Sequence, residues 1–296
     1  MSAQSVIASP RVVTTGDELR PLIAAARERR LTIGLVPTMG ALHEGHLSLV
    51  DASRRECGFT VVSVFVNPTQ FGPGEDYSRY PRPFAADLAQ LAARGVNLVF
   101  APEAPSMYAP GHATFVDVGA VAEPLEGRFR PGHFRGVATV VLKLFNLVTP
   151  DVAFFGRKDY QQSVVIRRMV LDLDLPIQIR VCPTVRDADG LALSSRNAYL
   201  SPAQREQALA LSRSLRLAKE LAAAGEQSSA AILERMHALF AAVPEVQIDY
   251  LALVDPDTLA DVTRIEGTVV AAAAARVGGT RLIDNEIIGQ SLRADP

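Results

Sequence analysis

Two histidines near the start of a predicted helix are the residues of this chain best suited to phosphate chemistry. They lie in the segment Pro-Thr-Met-Gly-Ala-Leu-His-Glu-Gly-His, Pro37 to His46, which follows the apolar run Leu31–Val36. His43 and His46 are three residues apart, so in a helix they lie about one turn apart on the same face. Backbone N–H groups and the positive end of the helix dipole point the same way. A strand, a tight turn and a helix that opens with two imidazoles predict a phosphate site.

Other kinds of site can be compared with this segment. The zinc-protease motif His-Glu-x-x-His requires one more residue between the histidines. The chain contains neither the dinucleotide fingerprint Gly-x-Gly-x-x-Gly nor a Walker loop with Gly-Lys-Ser/Thr. Two histidines taken alone are more often surface or core groups than ligands. The remaining motif, His-x-Gly-His, is typical of nucleotidylyltransferases and related adenylate-forming enzymes.

Polar side chains also follow two other predicted strands. Asn67 and Gln70 come after the run Thr60–Val66, and their amides suit hydroxyl and carboxylate groups. Lys158 follows another apolar run and can reach phosphate oxygens as a point charge, and Gln162 lies one helical turn further on. In isolation, the first segment is about equally well explained as a turn with solvated amides, and a Lys-Asp pair at a helix start is more often a solvated cap.

Two segments contain arginines next to polar residues. Ser194 and Ser195 precede Arg196, whose guanidinium can bind an anion through two parallel hydrogen bonds. The alternative for this segment is a linker turn with an exposed arginine. The basic segment Arg128–Arg135 precedes a predicted helix and is either a lid over a binding site or a solvated loop.

Composition excludes several classes of protein. The chain has 296 residues, 48% of them hydrophobic, which suffices for one large or two modest cores. A formal net charge of −2 gives no sign of a nucleic-acid or anionic-membrane partner. Cys57 and Cys182 suggest neither a disulfide framework nor a zinc site. We read no secretory leader and no apolar run near the roughly 20 residues of a membrane span, so we expect a cytoplasmic protein.

Strand-like and helix-like segments alternate over the first two-thirds of the chain. The predicted strands are Leu31–Val36, Thr60–Val66, Asn97–Phe100, Val152–Phe155 and Ile177–Val181, and the predicted helices are Leu42–Glu56, Phe84–Arg94, Val137–Val148 and Tyr160–Leu171. This alternation favours an α/β fold, a Rossmann-like parallel sheet with helices on both faces, plus a smaller C-terminal α+β domain. Ligands bind such sheets beyond the carboxyl ends of the strands, where His43, Asn67 and Lys158 fall.

The pattern changes after Val181, so we predict domains 1–184 and 185–296, the second closing over the active site. Ser201 and Pro202 form a typical helix start. The predicted elements of the second domain are helices over about 202–224 and 228–242 and strands Val246–Val254 and Thr268–Val277. The second strand is predicted against the helical propensity of its alanines, because glycines flank it and β-branched residues begin it.

As a set, these motifs resemble those of the pantoate–β-alanine ligase family, which belongs to the HxGH nucleotidylyltransferase-like superfamily. The resemblance runs from about Val12 to Asn285. Besides the segment ending at His46, the motifs that carry it are Phe65-Val66-Asn67-Pro68-Thr69-Gln70-Phe71, His133-Phe134-Arg135-Gly136-Val137, Lys158-Asp159-Tyr160-Gln161-Gln162 and Leu193-Ser194-Ser195-Arg196-Asn197. Their order and spacing make the set highly specific.

The resemblance implies an enzyme that joins pantoate to β-alanine with ATP and Mg²⁺, releasing AMP and pyrophosphate. The pantoate carboxylate attacks the α-phosphorus of ATP to give pantoyl adenylate, and the amine of β-alanine then attacks the acyl carbon and expels AMP. Neither step needs a covalent enzyme intermediate, so the protein supplies orientation and charge stabilisation. The family also implies a homodimer formed through the sheet domain.

The resemblance also assigns site residues. The implied catalytic residues are His43, His46, Lys158 and Arg196, and His46 matches the usual proton donor. The implied ATP contacts are Met39, Gly40, Ala41, Leu42, His43, Glu44, Gly45, His46, Gly156, Arg157, Lys158, Asp159, Val185, Leu193, Ser194, Ser195 and Arg196. The implied substrate contacts are Gln70 and Gln162 for pantoate, with Asn67, Tyr80 and Arg130 nearby.

Two positions depart from the family pattern. Arg157 stands where many relatives carry an acidic residue or glutamine, and we expect only a change at the rim of the site. Asp87 is the implied magnesium contact, but Ala85 and Ala86 precede it where some relatives are more acidic. We therefore expect magnesium to rely mainly on ATP oxygens and water.

Two rival functions share these motifs. A simple nucleotidylyltransferase would adenylylate a phosphate ester and would be indifferent to β-alanine. A regulatory module would bind ATP and release no AMP with any acid.

Overall fold

A computed structural model describes residues 9–289 of the chain. These residues form two compact units. The first comprises 9–118, Arg130–Gly156 and Val165–Pro183, and the second comprises Gly119–Phe129, Arg157–Val164 and 184–289. The last division lies beside the predicted boundary at 184/185, while the two short stretches of the second unit were not predicted. No helix in this described part is both long and apolar enough to span a membrane.

The first unit contains a six-stranded parallel sheet. Its strands are β1 (Arg11–Val13), β2 (Ile33–Thr38), β3 (Phe59–Val64), β4 (Leu98–Phe100), β5 (Val152–Gly156) and β6 (Gln178–Cys182). They lie in the order β1-β4-β3-β2-β5-β6. The chain moves outward from β2 to β3 and β4 on one side and to β5 and β6 on the other. The carboxyl ends of β2 and β5 therefore flank the switch point where such sheets bind ligands.

The α-helices of the described residues in both units are α1 (Gly16–Glu28), α2 (Glu44–Glu56), α3 (Phe84–Ala93), α4 (Ala104–Met107), α5 (Glu126–Phe129), α6 (His133–Val148), α7 (Tyr160–Asp172), α8 (Pro202–Ala223) and α9 (Ser229–Phe240).

Helices of the first unit cover its parallel sheet. Val36 and Val62 pack in one core cluster with residues of α2 and α3. Their strand neighbours Leu35 and Val61 are equally buried. Because successive residues point to opposite faces, both faces of the sheet are covered, as parallel sheets require.

The second unit contains a three-stranded antiparallel sheet of β7 (Val246–Val254), β8 (Thr268–Val277) and β9 (Thr280–Gly289). Ala271 and Ala273 pack with residues of α8 and α9. Val270 packs on the other face, with Val164 and Leu125 of the two short stretches. Covering both faces selects small and β-branched residues in the middle strand, so β8 forms despite its alanines.

A buried ion pair joins the stretch Gly119–Phe129 to the second unit. Arg281 of β9 forms hydrogen bonds with both carboxylate oxygens of Glu126. The hydroxyl of Tyr250 donates to the same carboxylate at 2.9 Å. Glu126 is 6% exposed, so leaving its charge without Arg281 would be strongly destabilising. These contacts explain why residues that precede α6 in sequence belong to the C-terminal sheet.

The predicted fold class is confirmed, and the predicted strands and helices all occur with ends shifted by a few residues. The strands β1 and β9 and the helices α1, α4 and α5 were not predicted. Helix α1 carries a readable start signal, since Thr15 and Glu18 form a reciprocal capping box, but Pro21 interrupts the helical pattern. In β9 the apolar alternation fails because the polar residues Asp284 and Asn285 are both buried.

Candidate active site

The turn after β2 has an unusual backbone that a buried carboxylate holds in place. Gly40 and Ala41 have φ angles of 81° and 51°, and the second is unfavourable for a residue with a side chain. Asp87 of α3 accepts the N–H of Ala41 through Oδ2 at 2.9 Å and the N–H of Leu42 through Oδ1 at 2.8 Å. A Cβ at position 40 would lie 3.0 Å from Oδ2 of Asp87. Glycine and the carboxylate together therefore fix the entry to α2.

His43 and His46 lie side by side at the start of α2. His43 is the N-cap residue, and its Nδ1 accepts the N–H of Gly45 at 3.2 Å. Nδ1 of His46 accepts the N–H of His43 at 3.4 Å, and the ring centroids are 4.2 Å apart. A neutral imidazole whose Nδ1 accepts a hydrogen bond carries its proton on Nε2. In its neutral form each ring therefore carries an Nε2–H donor at a helix N-terminus, and such a donor suits phosphate oxygens.

Gln70 ends a 3₁₀ turn after β3, and two neighbours orient its side chain. Its Oε1 accepts an N–H of Asn67 at 3.0 Å, and its Nε2–H donates to Sδ of Met39 at 3.3 Å. Asn67 is 1% exposed and also donates to the carbonyl of Gly136 at 3.2 Å. A Cβ on Gly136 would lie 2.4 Å from a carbonyl oxygen of the turn, so only glycine lets α6 approach so closely. Asn67 is therefore well placed to orient Gln70.

Arg130 and Tyr80 were also predicted to lie near the substrate. Arg130 forms an ion pair with Glu75 in the same unit. Its Nε and an Nη atom donate to the two oxygens of Glu75 at 2.8 and 2.6 Å. Burial raises the pKa of Glu75, but the hydrogen bonds and charge of Arg130 lower it on balance. Nδ1 of His133 lies 2.8 Å from the carbonyl oxygen of Gln70 and holds the same turn. Tyr80 is buried, with 5% of its surface exposed.

In the second unit, Lys158 sits on the 3₁₀ turn Arg157–Asp159 that follows β5. Nζ of Lys158 lies 3.7 Å from Oδ1 of Asp159, and both side chains are partly exposed. The side-chain amide of Asn285 donates to the carbonyl oxygens of Arg157 and Lys158 at 2.9 and 2.8 Å. The turn is therefore held from β9.

The two adjacent glutamines of α7 have different environments. Gln161 is 4% exposed, and its amide donates to the carbonyl oxygens of Val121 and Pro124 at 3.1 and 2.7 Å. Its Oε1 accepts the N–H of Glu126 at 2.9 Å. Gln162 is only partly buried. Gln161 thus holds the stretch Gly119–Phe129, and Gln162 is the better placed of the two to meet a ligand.

Two segments of the second unit that were predicted to contact ATP meet in a hairpin. The N–H of Leu193 donates to the carbonyl of Val185 at 3.0 Å, and Gly190 takes a φ of 95° at the turn between them. Ser194 then caps the next 3₁₀ turn, since its Oγ accepts the N–H of Arg196 at 3.3 Å. Val185 and the segment that begins at Leu193 are therefore neighbours.

Comparison with known proteins decides the family. A family model described as pantoate-beta-alanine ligase matches residues 11–287. The chain belongs to the pantoate–β-alanine ligase family. The pantothenate synthetase of Moorella thermoacetica is 56% identical over 270 residues, covering 91% of this chain and 95% of that protein. The pantothenate synthetase of a Roseiflexus species is 54% identical over 278 residues, covering 94% and 99%.

Solved structures of two members of the family are similar to this ligase in fold and sequence. Pantothenate synthetase from Thermus thermophilus has a TM-score of 0.89 and 50% identity, covering 93% of this chain and 98% of that one. The ligase from Francisella tularensis, complexed with β,γ-ATP and β-alanine, has a TM-score of 0.78 and 32% identity, covering 94% and 97%. The reaction of the family, ATP-dependent condensation of pantoate with β-alanine through pantoyl adenylate, is the activity of this ligase.

The family resemblance implies magnesium, so the question is whether side chains of the ligase form a site for this ion. In the part of the chain that is described, no three His, Cys, Asp or Glu side chains form a group able to hold a metal ion. Both oxygens of Asp87 accept backbone N–H groups, and the residue is 1% exposed. These residues do not fit a magnesium site built by the protein. What remains of the prediction is a single contact from Asp87 to magnesium that arrives with ATP.

Replacing Asp87 by asparagine distinguishes two functions of its carboxylate, contact with magnesium and hydrogen bonding to the backbone of the turn before α2. The amide turns one acceptor into a donor that faces a backbone N–H, so we expect the turnover of the ligase to fall about 10-fold. The Mg²⁺ concentration that gives half the maximal rate should stay within about twofold, whereas loss of a metal contact would raise it about 10- to 100-fold. Titrating Mg²⁺ at saturating ATP measures both. Asp172→Asn, which alters a partly exposed ion pair with Arg168, is the matched control.

Sequence reasoning did not indicate the structural contacts of three residues that hold the predicted site residues. Asp87 was assigned to a metal, although its carboxylate holds the turn before α2. Gly136 lies inside a recognised motif, but only the close approach of α6 shows why glycine is needed. Asn285 gave no signal of its own, since an Asp-Asn pair in an apolar strand is also typical of a bulge or strand end.

Proposed function

We propose that the ligase forms pantoyl adenylate by stabilising charge with His43, His46, Lys158 and Arg196. The carboxylate oxygen of pantoate forms a bond to the α-phosphorus, and the bond to the bridging oxygen of pyrophosphate breaks. Negative charge grows on the α-phosphoryl oxygens and on the departing pyrophosphate. Fixed N–H donors and cations aimed at these oxygens lower the barrier without a covalent intermediate. The observation that carries this proposal is that Nδ1 of each histidine accepts a backbone N–H at the start of α2, which directs Nε2 of both rings to the ligand role.

The second step transfers the pantoyl group to β-alanine. The amine attacks the acyl carbon, the carbon–oxygen bond to AMP breaks, and the nitrogen loses a proton to give the amide. We assign Gln70 and Gln162 to the hydroxyl and carboxyl groups of pantoate, with Asn67 orienting Gln70. The bond from Asn67 to Oε1 supports this assignment, because it leaves the amide of Gln70 in one orientation.

Further proposals rest on the family resemblance. Magnesium is bound chiefly by ATP phosphates and water and neutralises part of the phosphate charge. Tyr80 and Arg130 line the substrate region, and the remaining ATP contacts are Met39–Gly45, Gly156, Arg157, Asp159, Val185 and Leu193–Ser195. The ligase works in the cytoplasm as a homodimer whose subunits meet through the sheet unit.

Release of AMP from ATP by the purified protein tests the proposed function. With ATP, Mg²⁺ and pantoate alone, we expect at most one equivalent of pyrophosphate per enzyme, with the AMP group retained in enzyme-bound pantoyl adenylate. Adding β-alanine should start continuous AMP release with pantothenate appearing in equal amount. A stable adenylylated product that ignores β-alanine would identify a nucleotidylyltransferase. Bound ATP without AMP under either condition would identify a regulatory module and reject the proposal.

A further inference from the structure

Asn285 is a buried polar residue of β9 that the assigned site does not include. It is 4% exposed, and its Nδ2 donates to two consecutive carbonyl oxygens, those of Arg157 and Lys158, at 2.9 and 2.8 Å. These two bonds use both N–H groups of the amide. Its Oδ1 is buried and has no hydrogen-bond partner in the part of the chain that is described. The Asn285 side chain therefore binds both carbonyl oxygens through its Nδ2, while its own Oδ1 has no hydrogen-bond partner among the described residues.

The backbone and neighbours of Asn285 are themselves fixed. Its N–H donates to Oδ1 of Asp284 at 2.8 Å, and Asp284 forms two hydrogen bonds with Arg186 at 2.6 and 3.0 Å. In the ladder with β8, Asn285 lies opposite Ala272, which leaves room around the amide. Burial raises the pKa of Asp284 overall, although its hydrogen bonds and ion pair with Arg186 and the positive charge of Lys158 lower it. The carboxylate of Asp284 therefore interacts electrostatically with Lys158. Asn285 is therefore a rigid support next to the Lys158 turn.

The position of Asn285 on β9 indicates which segment its side chain holds in place. Residues 281, 283 and 285 point to the same face of β9. Arg281 holds Glu126 of one short stretch of the second unit, and Asn285 holds Lys158 of the other. The first contact joins two charged side chains. The second grips the backbone of a residue whose own side chain stays partly exposed.

We propose that Asn285 is a positioning residue that acts through Lys158, fixing the backbone of its turn so that the ammonium group meets the ATP phosphates. The inference rests on the proposed function, in which Lys158 stabilises charge during adenylate formation. A displacement of about 1 Å in such a group costs up to roughly 100-fold in rate. Asn285 does not itself touch substrate.

A double-substitution cycle with Lys158 tests this role. We expect Asn285→Ala to lower the single-turnover rate of pyrophosphate formation from ATP and pantoate about 10-fold or more, with little change in KM for pantoate. In a Lys158→Ala background, the same substitution should change the rate less than about twofold, because no ammonium group remains to be positioned. Asn146→Ala, at an exposed position of α6, is the matched control, and thermal unfolding shows whether each variant is folded.

The outcomes separate this inference from the proposed function. A normal rate for Lys158→Ala rejects the proposed function and the inference with it. A slow Lys158→Ala enzyme on which Asn285→Ala acts with its full effect leaves the proposed function standing and overturns the inference. Should Asn285→Ala fail to fold, Asn285→Ser retains one O–H donor and is expected to give a smaller loss that also disappears in the Lys158→Ala background. An undiminished loss there overturns the inference equally.

Discussion

Replacing His46 by alanine is expected to slow the formation of pantoyl adenylate at least about 100-fold, roughly 2.7 kcal/mol of transition-state stabilisation. Nδ1 of His46 accepts a backbone N–H at 3.4 Å, which places the proton of the neutral ring on Nε2. We assign that N–H to the oxygens of the pentacoordinate α-phosphoryl group and the departing pyrophosphate. The donor is held before the reaction begins, so its removal affects the transition state more than ATP binding.

A rapid-quench measurement of pyrophosphate formed in one turnover, at saturating ATP and pantoate without β-alanine, gives this rate directly. His237→Ala removes the same side chain from an exposed position of α9 and should leave the rate within about twofold. His46→Gln restores an N–H donor on a different stem and should recover part of the loss. A His46→Ala enzyme that forms pyrophosphate at nearly the parental rate would reject the role given to this imidazole.

Replacing Lys158 by alanine is the second change expected to cost at least about 100-fold in adenylate formation. The ammonium group is a compact charge with three donors, and its turn is held by two hydrogen bonds from β9. Its carboxylate neighbour Asp159 lies 3.7 Å away and is partly exposed, so solvent weakens the attraction between them. The charge is therefore still effective toward phosphate oxygens.

The same single-turnover assay measures this loss, and its dependence on ATP concentration separates binding from chemistry. Lys219→Ala removes an ammonium group paired with Glu286 on an exposed surface and is expected to have little effect. A Lys158→Ala enzyme whose only defect is a raised KM for ATP would show that Lys158 binds ATP equally in the ground state and the transition state. That result would contradict the role in charge stabilisation.

Local patterns predicted most of the secondary structure. The strand preceding Gly40, the helix after His43 and the strand preceding Lys158 follow from apolar runs, glycine turns and caps that lie within a few residues of one another. The motifs are equally local, and their order along the chain indicated the ligase family that the comparisons show. Even β8, whose alanines prefer helix, was indicated by its β-branched start and flanking glycines.

Contacts between distant parts of the chain were not predictable in this way. The carboxylate that holds the turn before α2 comes from 45 residues away, and the amide that holds Lys158 comes from 127 residues away. The same holds for the second unit, which includes Gly119–Phe129 and Arg157–Val164 because its sheet needs a second apolar cover.

The sequence by itself determined the element order, the fold class and the residue types that can act on a phosphate, because these depend on propensity, periodicity and short-range spacing. Only the tertiary structure decided which buried polar groups hold those residues in place. Asp87 and Asn285 each form hydrogen bonds with backbone groups of a distant turn, and no pattern near either residue encodes its partner. A buried hydrogen bond is set by where two segments meet in the fold, so its function can be assigned only once that meeting is known.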